Sequence, residues 1–287
     1  MDRSGSTDRG ARYRDEGFVV EPNLLSRAEV EGTIAEATAV CRGDRGAIQG
    51  LAALDQGESD AEIMRRHLAI HFPHKISKLF FDLLSQPAIV DVLRDVVGPN
   101  VKCMQSMLFI KAAQKPGQAW HQDENFIPTR DRSLCGVWIA LDDATIENGC
   151  LWVLPGSHVH GVIWPSKPHE TRDFDEGRES FGFPEAADHA VPVEVEAGGV
   201  VFFNGYLLHR SLPNRTPDRF RRALVNHYMS AESLLPWDWD GRLAATRDNR
   251  DIVLVSGSDP YAYKGTEDLT FPYVRREVPD PESKLFR

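Results

Sequence analysis

Apolar residues recur along this chain with two different periods. Ser26-Arg27-Ala28-Glu29 has the form of a capping box, and Val30, Ile34 and Ala37 follow at helical spacing, so a helix is predicted over residues 27–41. A second is predicted from near Ser85, with Pro87 in its first turn, Ile89, Val92, Leu93 and Val96 on one face, and Gly98 at its end. Shorter Val-, Leu- and Phe-rich runs then cover 101–111, 134–141, 151–154, 191–195, 200–203 and 221–228, many of them separated by Gly, Pro, Asn or Asp, and these are predicted strands. Helices first and antiparallel-looking strands after them imply a mainly β fold with supporting helices, a double-stranded β-helix (jelly roll, cupin-like). No repeat of 20–50 residues occurs, and no Gly-x-Gly-x-x-Gly or phosphate loop follows a strand, which removes propellers, solenoids and dinucleotide-binding folds.

Residues 1–10 are polar and are expected to form a flexible tail, with a single domain over 11–287. Within it, 161–190 is rich in Pro, Gly, His and charge without periodicity and is expected to be a long lid loop over one mouth of the barrel. The stretch 236–287, with Trp237, Trp239, Tyr261, Tyr263 and Tyr273, is expected to wrap the core irregularly. Composition narrows the function classes. With 287 residues, 41% of them hydrophobic, the chain can bury a full core, and no run of about 18 apolar residues suggests a membrane span. The first ten residues have no apolar segment after their charges, so a cytoplasmic protein is expected. A net charge of −10 with no basic run argues against nucleic acid. Cys41, Cys103, Cys135 and Cys150 are far apart, form no Cys-x-x-Cys pair, and are expected to be reduced and buried.

The chemistry begins at Trp120-His121-Gln122-Asp123, where an imidazole and a carboxylate two residues apart leave the same face of extended backbone. Downstream, Phe202-Phe203-Asn204-Gly205-Tyr206-Leu207-Leu208-His209 ends a hydrophobic strand and turn with a second imidazole. Two histidines and one carboxylate on one face of a metal form the facial triad of iron(II) oxygenases. A His-x-Asp alone occurs by chance roughly once in such a chain, so the pair needs context. The rival clusters His158-Val159-His160 and His71-Phe72-Pro73-His74 lack a carboxylate at ligand spacing. Context comes from Arg219-Phe220-Arg221-Arg222, one strand and turn after His209, because a diacid co-substrate needs a guanidinium fork for its far carboxylate. Strand alternation lets only one of Arg221 and Arg222 enter the barrel, and Arg221 is the choice made here.

Together these residues resemble the phytanoyl-CoA dioxygenase family of iron and 2-oxoglutarate enzymes. The segment 136–158, GVWIALDDATIENGCLWVLPGSH, is similar to that family's stretch between its metal-ligand motifs, especially in the phytanoyl-CoA dioxygenase domain-containing branch, and the likeness runs from about Tyr13 to Tyr228. The resemblance implies His121, Asp123 and His209 as iron ligands and Arg221 as the 2-oxoglutarate clamp. It also implies Lys75, Met107, Trp138 and Ser211 as co-substrate contacts. About one extra residue separates Ser211 from Arg221 relative to the family pattern, which keeps Arg219 and Arg222 as alternatives. By position alone, Trp138 and Met107 read as core, and Gly149, Pro155 and Gly156 as turn-formers.

The activity so implied uses Fe(II), 2-oxoglutarate and O2 to hydroxylate or desaturate a small-molecule metabolite, releasing succinate and CO2. Because Asp123 is present where halogenating relatives lack a carboxylate, halogenation is not expected. Gln122, Asn125, Phe126 and Trp164 are the expected substrate contacts. The alternatives are a cupin-like iron dioxygenase or isomerase that needs no keto acid, and a non-catalytic metal-binding module.

Overall fold

A computed structural model describes residues 6–169, 171–175, 178–184, 187–233, 252–266 and 268–275. Its helices are α1 Ser6–Glu16, α2 Arg27–Arg42, α3 Asp60–Arg65, α4 Lys78–Leu83 and α5 Pro87–Val96. Its strands are β1 Phe18–Glu21, β2 Ala69–His71, β3 Val101–Lys111, β4 Gln118–His121, β5 Cys135–Ala140, β6 Leu151–Val153, β7 Ser166–Pro168, β8 Arg178–Ser180, β9 Val191–Val193, β10 Val200–Asn204, β11 His209–Ser211, β12 Arg221–Ser230, β13 Val253–Ser256 and β14 Tyr273–Arg275. No described helix is long and apolar enough to cross a membrane.

Two antiparallel sheets carry the site. The larger runs β1-β10-β5-β12-β3-β2-β14, with β13 also pairing β3, and the smaller runs β4-β11-β6-β9. The larger sheet is apolar on both faces, which is why β10 reads Val-Val-Phe-Phe without alternation. Its outer face, with Leu108, Ile110, Val137, Ile139 and Leu224, packs under the helices. Its inner face presents Met107, Trp138, Val201, Phe203 and Val225 to Leu151 and Val153 of the smaller sheet. This is the expected double-stranded β-helix.

The two expected helices form for the expected reasons. Glu29 N–H reaches the Ser26 hydroxyl while the Glu29 carboxylate accepts from Ser26 N–H, and α2 stops at Gly43 with φ 82°. α5 is capped by the Gln86 side chain, which accepts from Ile89 N–H, and starts on Pro87. The four cysteines are free and buried.

Three boundaries differ from the sequence reading. The expected tail is helical from Ser6, because Tyr13 is buried and Arg9 lies 3.7 Å from Glu21 and 3.6 Å from Asp95. The 161–190 stretch is not a structureless loop: β7 and β8 form a small two-stranded sheet within it. The C-terminal stretch contributes regular strands, since β13 pairs the start of β3 and β14 adds to β2. Trp237 and Trp239 lie outside the described residues.

Candidate metal centre and co-substrate pocket

His121 ends β4 and His209 begins β11, and the two residues stand opposite each other across that antiparallel pair. Gln122 continues the extended backbone, so Asp123 returns to the face of His121 at the start of a short 3-10 turn, Asp123–Asn125. The Nε2 atoms of His121 and His209 lie 3.7 and 3.6 Å from Asp123 Oδ1. All three ligand atoms fall within 4.8 Å of one another, and among the described residues this is the one such cluster of three or more His, Cys, Asp or Glu side chains.

The imidazoles are oriented by the same device. His121 Nδ1 is 2.8 Å from the carbonyl of Ala119, and His209 Nδ1 is 3.0 Å from the carbonyl of Leu207. A carbonyl can only accept, so each Nδ1 carries the proton and each Nε2 keeps its lone pair for the centre. Burial, then the neighbouring His209, lowers the His121 pKa to about 4, so its ring stays neutral. Burial would raise the Asp123 carboxyl, but His209 and His227 outweigh it and hold it well below the usual carboxylate range. The three donor atoms converge, with the His121 ring neutral and the Asp123 carboxylate ionised, as binding of a divalent metal requires.

Sequence reasoning missed His227. Its Nε2 is 3.0 Å from Asp123 Oδ2, the carboxylate oxygen turned away from the two imidazoles. The signal was available, since His227 is six residues after Arg221 on β12 and alternation puts both on the inner face. Glu124 was also missed. Its Oε1 accepts from Thr129 N–H and hydroxyl at 2.5 and 2.7 Å, yet burial pushes its carboxyl up to about 7.

The three arginines separate cleanly. Arg221 is buried, with its guanidinium 5.5 Å from the Trp138 ring centre and its Nε without a hydrogen-bond partner. Arg222 points the other way and pairs with Asp142 through Nε at 2.7 Å and Nη2 at 2.5 Å. Arg219 lies on the surface, 2.8 Å from Glu147. A cavity beside Arg221 is lined by Ser211, Gln118, Gly117, Phe109, Lys111 and Asp175, among others. Met107 and Trp138 belong to the inner-face cluster, and Trp138 is the one in contact with Arg221.

The other expected contacts are outside that cavity's lining. Lys75 is not among the residues lining that cavity: its ammonium is held by Asp268 and Thr270 of the C-terminal stretch. Gln122 is buried, its Nε2 donates to the carbonyls of Val162 and Tyr206 at 2.9 and 2.7 Å, and its Oε1 accepts from Trp164 N–H at 2.8 Å. It ties Val162, Trp164 and Tyr206 to the segment that carries His121 and Asp123. Trp164 packs with Trp120, Leu154 and Leu208, on the side of the smaller sheet away from the ligands. Asn125 is exposed. Phe126 is 49% exposed with its ring 6.3 Å from that of His121, which puts an aromatic edge at the mouth. The rival histidines are used locally: His74 meets the Ser106 hydroxyl at 2.6 Å, His71 stacks on Tyr273, and His158 bonds the carbonyl of Arg14.

The family profile described as Phytanoyl-CoA dioxygenase (PhyH) matches residues 13–223, a span that holds every residue of the centre except His227. The chain belongs to the phytanoyl-CoA dioxygenase family. A phytanoyl-CoA dioxygenase domain-containing protein 1 from Danio rerio is 33% identical over 185 residues, which are 62% of each chain, so the chain spans less than two thirds of that relative. Among solved structures, the non-heme monooxygenase ThoJ in its apo form aligns with a TM-score of 0.69 at 24% identity over 94% of this chain and 88% of its own. EvdO2 from Micromonospora carbonacea var. aurantiaca, solved with 2-oxoglutarate, aligns with a TM-score of 0.59 at 25% identity over 83% of this chain and 94% of its own.

Proposed function

We propose that this protein is an Fe(II)- and 2-oxoglutarate-dependent dioxygenase that hydroxylates or desaturates a small organic molecule. The observation that carries the reading is the matched pair of histidines, each with Nδ1 spent on a backbone carbonyl and Nε2 turned to Asp123, on the two strands whose Gln118 and Ser211 line a cavity with buried Arg221. Two imidazoles and one carboxylate fit a ferrous ion and leave positions for further ligands. EvdO2, of the same fold, has been solved with 2-oxoglutarate bound.

In this reading His121, Asp123 and His209 hold the metal, and His227 keeps Asp123 turned so that one oxygen faces it. Arg221, with Ser211, receives the distal carboxylate of 2-oxoglutarate, and Trp138 and Met107 wall the space between. The bound iron, with 2-oxoglutarate and O2, supplies the oxidation and leaves succinate and carbon dioxide as co-products. The protein's share is placement: Phe126 at the mouth guides the substrate, and the lid tethered by Gln122 keeps bulk water out.

Anaerobic Fe(II) plus 2-oxoglutarate should give a weak visible charge-transfer band, and addition of air should release succinate. Asp123→Gly should abolish both. A band absent from the wild type would favour an iron enzyme without a keto acid, and full succinate release by the variant would remove Asp123 as a ligand.

A further inference from the structure

Two basic side chains, Arg221 and Lys111, line the cavity, and neither has a carboxylate within salt-bridge distance among the described residues. Arg221 and Lys111 are directly opposite in the β12–β3 register, so both side chains leave the same face. Like charges in facing positions of a sheet repel, and burial strengthens the repulsion. Yet Lys111 is buried, and its Nζ reaches only neutral acceptors: the Ser211 hydroxyl at 2.9 Å, the Leu212 carbonyl at 2.6 Å and the Gly149 carbonyl at 3.4 Å.

The surroundings are shaped to hold this ammonium. Gly149 has φ +83°, and a Cβ there would lie 2.9 Å from Lys111 Nζ and 3.1 Å from its Cδ. Burial first, and Arg221 second, drive the Lys111 pKa well below its ordinary value. The other ionisable groups that act on it are Asp175 of the lid and Cys150. Asp175 also lines the cavity, but its carboxylate is paired with Arg275 of β14 at 2.6 Å. A pair of buried like charges around a cavity is relieved when an anion enters between them.

We propose that Lys111 is a second anchor for the distal carboxylate of 2-oxoglutarate, acting beside Arg221, and that the pair selects keto acids with two carboxylates over those with one. The proposal rests on the 2-oxoglutarate reading above and assigns to Lys111 the part expected of Lys75. Ser211, which accepts from Lys111, is held by it with its hydroxyl beside the cavity.

The test is anaerobic calorimetric titration of the Fe(II)-loaded protein with 2-oxoglutarate and, separately, with 2-oxobutanoate, which has no distal carboxylate. Lys111→Met should weaken 2-oxoglutarate at least tenfold and 2-oxobutanoate less than twofold. Lys111→Gln, which keeps N–H donors for the carbonyls and drops the charge, should show the same split and serves if the methionine variant does not fold. Equal weakening of both acids would make Lys111 a structural strut and overturn the proposal, as would unchanged affinities. A wild type that binds neither acid overturns this proposal together with the 2-oxoglutarate reading, whereas tight wild-type binding matched by Lys111→Gln overturns the Lys111 assignment alone.

Discussion

Replacing Arg221 by methionine should make the unliganded protein more stable while removing its response to 2-oxoglutarate. Burial lowers the Arg221 pKa from its ordinary value above 12 to about 10. At about 1.4 kcal/mol per pKa unit, holding the charge inside costs ~3 kcal/mol. The sign follows from linkage. The folded pKa is below the unfolded one, so the cost is present in full below pH about 10 and fades only as the pH rises above that value. Methionine fills most of the same space beside Trp138 and also frees Lys111 of a like-charged neighbour, at the loss of the ring contact. A net gain of ~2 kcal/mol should raise the melting temperature by roughly 4 °C. In the wild type, 2-oxoglutarate at a hundred times its Kd should add about 2.7 kcal/mol of stability. Loss of a charge-assisted bidentate contact should weaken binding about a hundredfold or more, which reduces that gain to under ~0.5 kcal/mol. Thermal melts of both proteins, loaded with a redox-inert divalent metal and taken with and without 2-oxoglutarate, read both effects. A variant that melts several degrees below the wild type, or that keeps the full ligand-induced rise, would refute the reasoning.

Three other substitutions probe separate parts of the site. His227→Phe removes the partner of Asp123 Oδ2, so competition against a coloured chelator should show metal affinity about 10–100-fold weaker, and unchanged affinity would dismiss the orienting role. Gln122→Leu strands the carbonyls of Val162 and Tyr206 and the N–H of Trp164, so at ~1 kcal/mol for each lost bond amide exchange at residues 162–164 should quicken at least thirtyfold with the core unaffected. Glu124, raised to about 7, binds its proton more tightly folded than unfolded, so apoprotein stability should fall by up to ~3 kcal/mol as pH climbs from about 4.5 to above 7. Denaturation curves of Glu124→Gln across that range should be flatter than those of the wild type, and a parallel slope would place the titration elsewhere.

The parts of the fold legible in sequence are those whose period is set by one packing surface. Both outer helices carry their caps and apolar stripes in local sequence, and β3 and β12 are long enough to declare themselves. The strands that went unread are short: β4 and β11 carry the two histidines of the centre on four and three residues, too few to show alternation. The triad was legible all the same, because ligand chemistry needs only residue identity and a two-residue spacing. Lys111 was not, since its meaning lies in the register that sets it opposite Arg221, and register between strands so distant in sequence is not written locally. The settings of two expected substrate contacts were hidden for a related reason. Gln122 and Trp164 sit at the right sequence positions, but one turns to backbone carbonyls and the other to the far side of its sheet.

His121 and His209 are direct neighbours on one rung of the smaller sheet. An ion gripped from both strands of one rung would bridge strands that are already hydrogen-bonded, and would close no long loop of the folded chain. It contributes little to holding the two layers together, so the barrel can lose and regain its metal as a local event. Such a centre would behave as a socket in a finished wall, its histidines already set by the strand pairing and by the Ala119 and Leu207 carbonyls before an ion arrives.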